Sequence, residues 1–191
     1  MRLNYFMHNN PALFLKSKKN TELFFSKLFA IDYAVSQISL LFENNKVTFS
    51  LFAKNEQIRK ALVSEYNTIG EAILTLANNK ECNSVLNNFA DASVWAEIKI
   101  VRGAFTHDYS PNLDRTLAIW QEIDLARQLF VEFKKYLIAN YSNIEEKLAE
   151  YKLNREQILK NLSEITDKRS KAIEEETFQR TNSIISNLKN K

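Results

Sequence analysis

Val101-Arg102-Gly103-Ala104-Phe105-Thr106-His107-Asp108-Tyr109-Ser110, followed directly by Pro111, is the stretch from which this chain is best read. It holds one of the two histidines, one of the two glycines and, at its edge, one of the two prolines. Such residues gather where one helix ends and another begins. Its kernel is an arginine, four residues, a histidine, one residue, a tyrosine. Histidine titrates near neutrality and can take or give a proton. Arginine is always charged, and its fork matches phosphate oxygens. A tyrosine hydroxyl can donate to a phosphate. Together the three could move protons and stabilise charge on a phosphodiester without a metal. The spacing alone also permits a plainer reading. In it Arg102 is a solvated helix-end charge, His107 a polar linker residue and Asp108 the cap of the next helix. In an unbroken helix Arg102 and His107 would point about 140° apart. Cooperation between them needs a break, which Gly103 and the turn over 106–111 would supply, or a second subunit facing the first.

The rest of the composition sets the frame. With two Gly and two Pro in 191 residues, the chain lacks what a turn-rich β fold needs, and Leu, Ile, Ala, Glu and Lys abound. An all-α protein follows, long enough for one sizeable core plus an appendage. The net charge of +3 is unevenly spread. Residues 1–21 carry four positive charges and no acid, whereas 22–140 carry 12 basic and 14 acidic residues, a net of −2. A basic surface that coats nucleic acid is thereby excluded for the globular part, and RNA would have to bind locally, where Arg102 and its neighbours converge. The single cysteine, Cys82, cannot form an intrachain disulfide. That fits a reducing cytoplasm, and no cationic neighbour argues for a reactive thiol. One Cys and two distant His make no metal-ligand cluster. No run of about 18 uninterrupted apolar residues suggests a membrane-spanning helix, and residues 1–15 lack the form of a signal peptide.

In chain order, residues 1–20 form an arm. It either lies over the core or reaches for RNA, and its Tyr5, Phe6, Leu13, Phe14 and Leu15 favour the first. Thr21 can cap a first helix running to Asn44, with Phe24, Leu28, Ile31, Val35, Ile38 and Phe42 as its buried stripe. Residues 47–52 read as extended or a loose turn. A second helix over 55–77 buries Ile58, Leu62, Ile69, Ala72, Ile73 and Leu76. Gly70 allows close packing there, and Glu71 either reaches toward the motif or, as its setting favours, faces solvent. Residues 78–88 read as a loop or a short irregular helix. Asp91 or Ser93 caps a third helix that turns Trp95, Ile98 and Val101 inward and ends near Phe105. Ser110-Pro111-Asn112 starts a fourth, with bulk from Leu117, Trp120, Ile123, Leu125, Leu129, Phe133 and Leu137. Ser142 and Glu145 match a capping box that opens a last helix. There Tyr141, Ile144, Leu148, Tyr151, Ile158, Leu162, Ile165 and Ala172 follow heptad steps, with Arg155 and Arg169 in the same seam. That pattern fits a coiled coil or a helix packed along its own domain.

Arg102-x4-His107-x-Tyr109 resembles the motif of the HEPN family, specifically its HepT-like toxins, where it sits between two helices. Tyr66-Asn67-Thr68-Ile69-Gly70-Glu71-Ala72 looks like that family's second-helix signature. Trp95-Ala96-Glu97-Ile98 and Leu113-Asp114-Arg115-Thr116-Leu117-Ala118-Ile119-Trp120 are placed as in the family. The resemblance covers roughly residues 22–138. It implies an all-α, up-down helical bundle of the HEPN type over 21–140, with a helical, coiled-coil-like extension over 141–191 that the family pattern does not cover. It implies a cytoplasmic, metal-independent endoribonuclease toxin of a type II toxin–antitoxin pair, acting without a cofactor as a homodimer on RNA. His107 and Arg102 would be catalytic, and Arg102 and Tyr109 would hold the phosphate. A cognate nucleotidyltransferase antitoxin would silence the toxin by adenylylating Tyr109. The family usually has asparagine where this chain has Gly103, an amide thought to position the phosphate or the histidine. The alternative is therefore a non-catalytic HEPN module that binds a nucleotidyltransferase or another protein.

Overall fold

The computed structural model describes residues 10–44, 46–105 and 113–189, and the side chains of all of these except 44, 99–105 and 182–189. Among the described residues the chain is all helix, with no strand. It forms an all-α helical bundle with a long C-terminal helix.

Polar caps set most of the helix starts. Helix α1 (Lys18–Asn44) begins after Ser17, whose hydroxyl accepts from the Asn20 N–H at 3.0 Å. The sequence pointed instead to Thr21. That residue lies one turn inside, donating its hydroxyl to the Ser17 carbonyl (3.1 Å) while accepting from the Leu15 N–H (3.0 Å). A threonine that bonds back to its own preceding turn is not available as a cap. Residues 47–52 were expected to be extended or a loose turn, but from Phe49 onward they belong to the short helix α2 (Phe49–Lys54). Thr48 caps it, Phe52 is fully buried beneath it, and Arg59 donates to the Phe52 and Ala53 carbonyls at its end (3.3 and 2.9 Å). Asn55 ends α2 and caps α3 (Glu56–Asn78), accepting from the N–H groups of Gln57 and Ile58. Asn79 does the same for α4 (Lys80–Asn87). Helices α5 (Ala92–Phe105), α6 (Leu113–Asn140) and α7 (Ile144–Lys189) complete the order.

α3 is the hub, packing against α1, α2, α4, α5 and α6. Its buried face joins Leu62, Val63, Tyr66, Ile69, Gly70, Ile73 and Leu76. Gly70 lies on that face, where a bare backbone lets a neighbour come close, and Glu71 is exposed. α1 supplies Phe24, Phe25, Leu28, Ile31, Ala34, Val35 and Ile38 to the core. The segment Lys18–Glu43 is long and apolar enough to cross a membrane by length and composition. Core helices pass the same test, and the apolar stripe of this one is packed inside the bundle.

The buried residues of α6 are Thr116, Ile119, Ile123, Ala126, Phe130, Phe133 and Leu137, an unbroken alternation of three- and four-residue steps. Leu117 and Leu125, expected inside, are 40% and 57% exposed. They fall off that stripe, so position on the helix outweighs hydrophobicity. Trp95 sits among Phe89, Phe130 and Phe133, with ring centroids 5.6–6.2 Å away. Its indole N–H donates to the Leu86 and Ala90 carbonyls, both at 3.2 Å. Trp120 stacks on Phe42 at 4.5 Å and leans on Phe52 at 5.3 Å.

The chain divides into two compact units, residues 1–148 and 149–191. In the first, residues 10–17 dock as part of the fold. Asn143 is buried and clamps the backbone of Leu13, accepting from its N–H (2.8 Å) and donating to its carbonyl (3.2 Å). The Ser142 N–H donates to the Pro11 carbonyl, and Glu81 accepts from the Lys16 N–H at 2.9 Å. Asn143, rather than Ser142, directly precedes α7, and Ile144 and Leu148 in its first turns are buried. The second unit is the remainder of α7. From Lys152 to Thr181 all its described side chains are exposed except Arg155, which is half-buried.

Candidate functional site

Of the residues singled out from the sequence, Arg102 and Gly103 lie on α5 by backbone, Arg102 three residues before Phe105. The Arg102 side chain lies outside the described residues, and so does the inward placement expected for Val101. His107, Asp108, Tyr109 and Pro111 fall in 106–112, outside the described residues, as do Tyr5, Phe6 and His8.

The described structure holds the base from which Arg102 springs. α5 packs against α3 and α6. Trp95 and Ile98 are buried as expected and anchor it there. Tyr66 on α3 is buried, and Glu97 on α5 (two residues after Trp95) and Glu122 on α6 lie near enough for their carboxylates to act on it. The Tyr66 phenol is held well above its ordinary pKa by burial first, then by the carboxylates of Glu122 and Glu97. Burial, then Glu97, also raises the Glu122 carboxyl. An inward-facing phenol in negative surroundings stays protonated at neutral pH. Tyr66 can donate a hydrogen bond but cannot serve as a base. In the sequence Tyr66 and Glu97 stand out only as members of the segments that carry the family resemblance. Glu122 carried no signal at all, because an isolated glutamate on a long helix reads as solvated.

Two further features are described. A cavity of about 560 Å³ lies between α1 and α6, lined by Leu28, Val35, Ser36, Phe130, Ile138 and the Asp32–Lys134 ion pair, which closes at 2.7 Å. None of the residues singled out for chemistry lines it. Cys82 is fully buried, and its thiol is pushed up to about 11 by burial and by Glu81. It is a packed thiol rather than a nucleophile, as its sequence surroundings suggested. Among the described residues no group of His, Cys, Asp and Glu is placed to hold a metal ion.

Comparison of the chain with protein-family models, with curated proteins and with solved structures returned no match.

Proposed function

We propose that the chain is a metal-independent endoribonuclease toxin that works as a homodimer through Arg102, His107 and Tyr109. The observation that carries this reading is the Arg102-x4-His107-x-Tyr109 spacing at the end of α5, on an all-helical bundle in which that helix packs against α3 and α6. His107 assists attack of the ribose 2′-OH on the adjacent phosphorus or protonates the departing oxygen. Arg102 binds the scissile phosphate and stabilises its growing charge. Tyr109 orients the same phosphate. Adenylylation of Tyr109 by a partner nucleotidyltransferase would set a bulky anion where RNA must enter, which silences the enzyme. The protein works in the cytoplasm in this reading.

The test is growth arrest on expression, with total RNA run out from the native chain and from the Arg102→Ala and His107→Ala variants. Arrest and RNA breakdown in the native chain, lost in both variants, is the expected result. Intact RNA from soluble native protein rejects the reading.

A second reading, a non-catalytic module that binds a nucleotidyltransferase or another protein, is favoured by one specific residue. Gly103 offers no amide where the resembling family usually has one. If Gly103→Asn creates RNA cleavage that the native chain lacks, this second reading holds.

A further inference from the structure

The arm that precedes α1 is fastened to the bundle and turns one large ring outward. Asn143 holds both the N–H and the carbonyl of Leu13 (2.8 and 3.2 Å). The Thr21 hydroxyl accepts from the Leu15 N–H (3.0 Å), and the Glu81 carboxylate accepts from the Lys16 N–H (2.9 Å). Leu13 is 4% exposed, whereas Phe14, between these held neighbours, is 73% exposed. A lone apolar side chain on a surface needs no explanation. Phe14 differs because its backbone is fixed on both sides. The ring is presented from a rigid base, and a group so pre-organised loses little freedom when it binds.

That ring borders a groove of about 530 Å³ between the arm, α4 and the segment joining α6 to α7. Lys16 and Lys80 bring ammonium groups to the lining, and Ser84 and Tyr141 bring hydroxyls. Burial first, then Tyr136, raises the Tyr141 phenol, which therefore stays protonated at neutral pH and can donate. The one acid in the lining, Glu81, already accepts from the Lys16 N–H. Lys18 and Lys19 open α1 directly after the arm, and both are exposed. Lys18 reaches Glu22 at 3.7 Å, a loose surface pair. Cations beside an open aromatic face are how proteins hold single strands, the cations taking phosphates and the ring taking a base. A duplex keeps its base faces covered. An acidic peptide would use the lysines and leave the ring idle.

We infer that this groove binds a single-stranded nucleic acid, with Phe14 stacked on a base and Lys16 and Lys80 on its phosphates. Lying over the core and holding a strand are then one use of the arm. It brings positive charge to a bundle that lacks it, since residues 22–140 carry a net of −2. The site includes none of Arg102, His107 and Tyr109, so it stands whether or not the chain cleaves RNA.

The test is fluorescence anisotropy of the full chain with labelled strands of about 12 nucleotides. One is oligodeoxythymidylate and the other 2′-O-methyl oligouridylate, neither of which offers the proposed nuclease a free 2′-OH. Saturable binding at low salt is expected, and binding by one sugar type alone keeps the site and names its strand. Phe14→Ala is expected to weaken binding about 5- to 150-fold, the loss of one stacked base, and Phe14→Trp to preserve it. Phe14 is exposed, so neither change threatens the fold. Lys16→Gln/Lys80→Gln is expected to reduce the slope of log affinity against log salt by about 1.4, two phosphates at about 0.7 each. No binding by either strand overturns the site. So does an unchanged affinity in Phe14→Ala, or equal binding of a duplex of the same length. Displacement by oligoglutamate as readily as by unlabelled strand also overturns it, and assigns the groove to an acidic peptide.

Discussion

Helices α6 and α7 carry the same three- and four-residue rhythm and treat it in opposite ways. In α6, Thr116, Ile119, Ile123, Ala126, Phe130, Phe133 and Leu137 are all buried. In α7, Ile158, Leu162 and Ile165 repeat the spacing in the open. The difference lies in what the stripes are made of. The α6 stripe carries Phe130 and Phe133, which interlock with Phe89 and Trp95. That aromatic mass buries a large area in one place. The α7 seam is aliphatic and twice interrupted by arginine. Burying those charges without partners would be costly. Periodicity thus states that a helix has a face, and the chemistry of that face states what can cover it.

The contrast breaks most sharply at Phe133. Phe133→Ala is expected to cost about 3–5 kcal/mol, as large-to-small changes in a packed core do. Leu162→Ala, measured at a concentration low enough for single chains, should cost less than about 0.5 kcal/mol. Urea unfolding followed by tryptophan fluorescence separates the two, because Trp95 and Trp120 both belong to residues 1–148. A loss at Leu162 as large as that at Phe133 would mean that the bundle itself covers the seam.

The next effect sharpens where one regime gives way to the other. Asn143 is a buried polar residue just before α7, and its side-chain amide bonds both the N–H and the carbonyl of Leu13. Asn143→Ala leaves that N–H and carbonyl unpaired beneath the surface, a cost of about 1–3 kcal/mol. Faster proteolysis around residues 10–17 should accompany the lower urea midpoint. Ser142→Ala should do neither. Smaller again is Asn55→Ala. It removes the acceptor for the N–H groups of Gln57 and Ile58 and should cost about 1 kcal/mol.

These residues also show how far the sequence could be read. Asn55 was legible as the start of α3, and the α1 and α3 stripes followed from spacing, because a cap and a period are local facts. Ser17 and Asn143 were not. Choosing Ser17 over Thr21 depends on Leu15 folding back over the helix start, and the burial of Asn143 depends on Leu13, 130 residues away. The helix at Phe49–Lys54 hid for a like reason. Six residues carry too little periodicity, and it holds through the burial of Phe52 and the reach of Arg59. Of the candidate site, the rarity of His, Gly and Pro pointed to residues 101–111, and the backbone is helical at Arg102 and through Phe105, the last described residue before 113. The carboxylates around Tyr66 were illegible, since Glu97 and Glu122 meet only once α5 and α6 lie side by side.

The smallest effect is a sign rather than a size, and it lies at that junction. The Glu122 carboxyl is held above its reference value of 4.5 by burial and by Glu97. A carboxyl raised in the folded state binds its proton more tightly folded than unfolded. The stability this confers is fully present below the unfolded value and is lost as pH rises through the folded one. At pH 7 the native bundle therefore bears a cost at Glu122 that it does not bear in acid. Glu122→Gln, which keeps the shape without the charge, should raise the urea midpoint at pH 7, with the gain fading as pH falls toward 4. A lower midpoint at pH 7 would show that the carboxylate is held by donors whose attraction exceeds the repulsion from Glu97. The same place on the bundle would then be a built anion-stabilising pocket, unlike the exposed charges of α7.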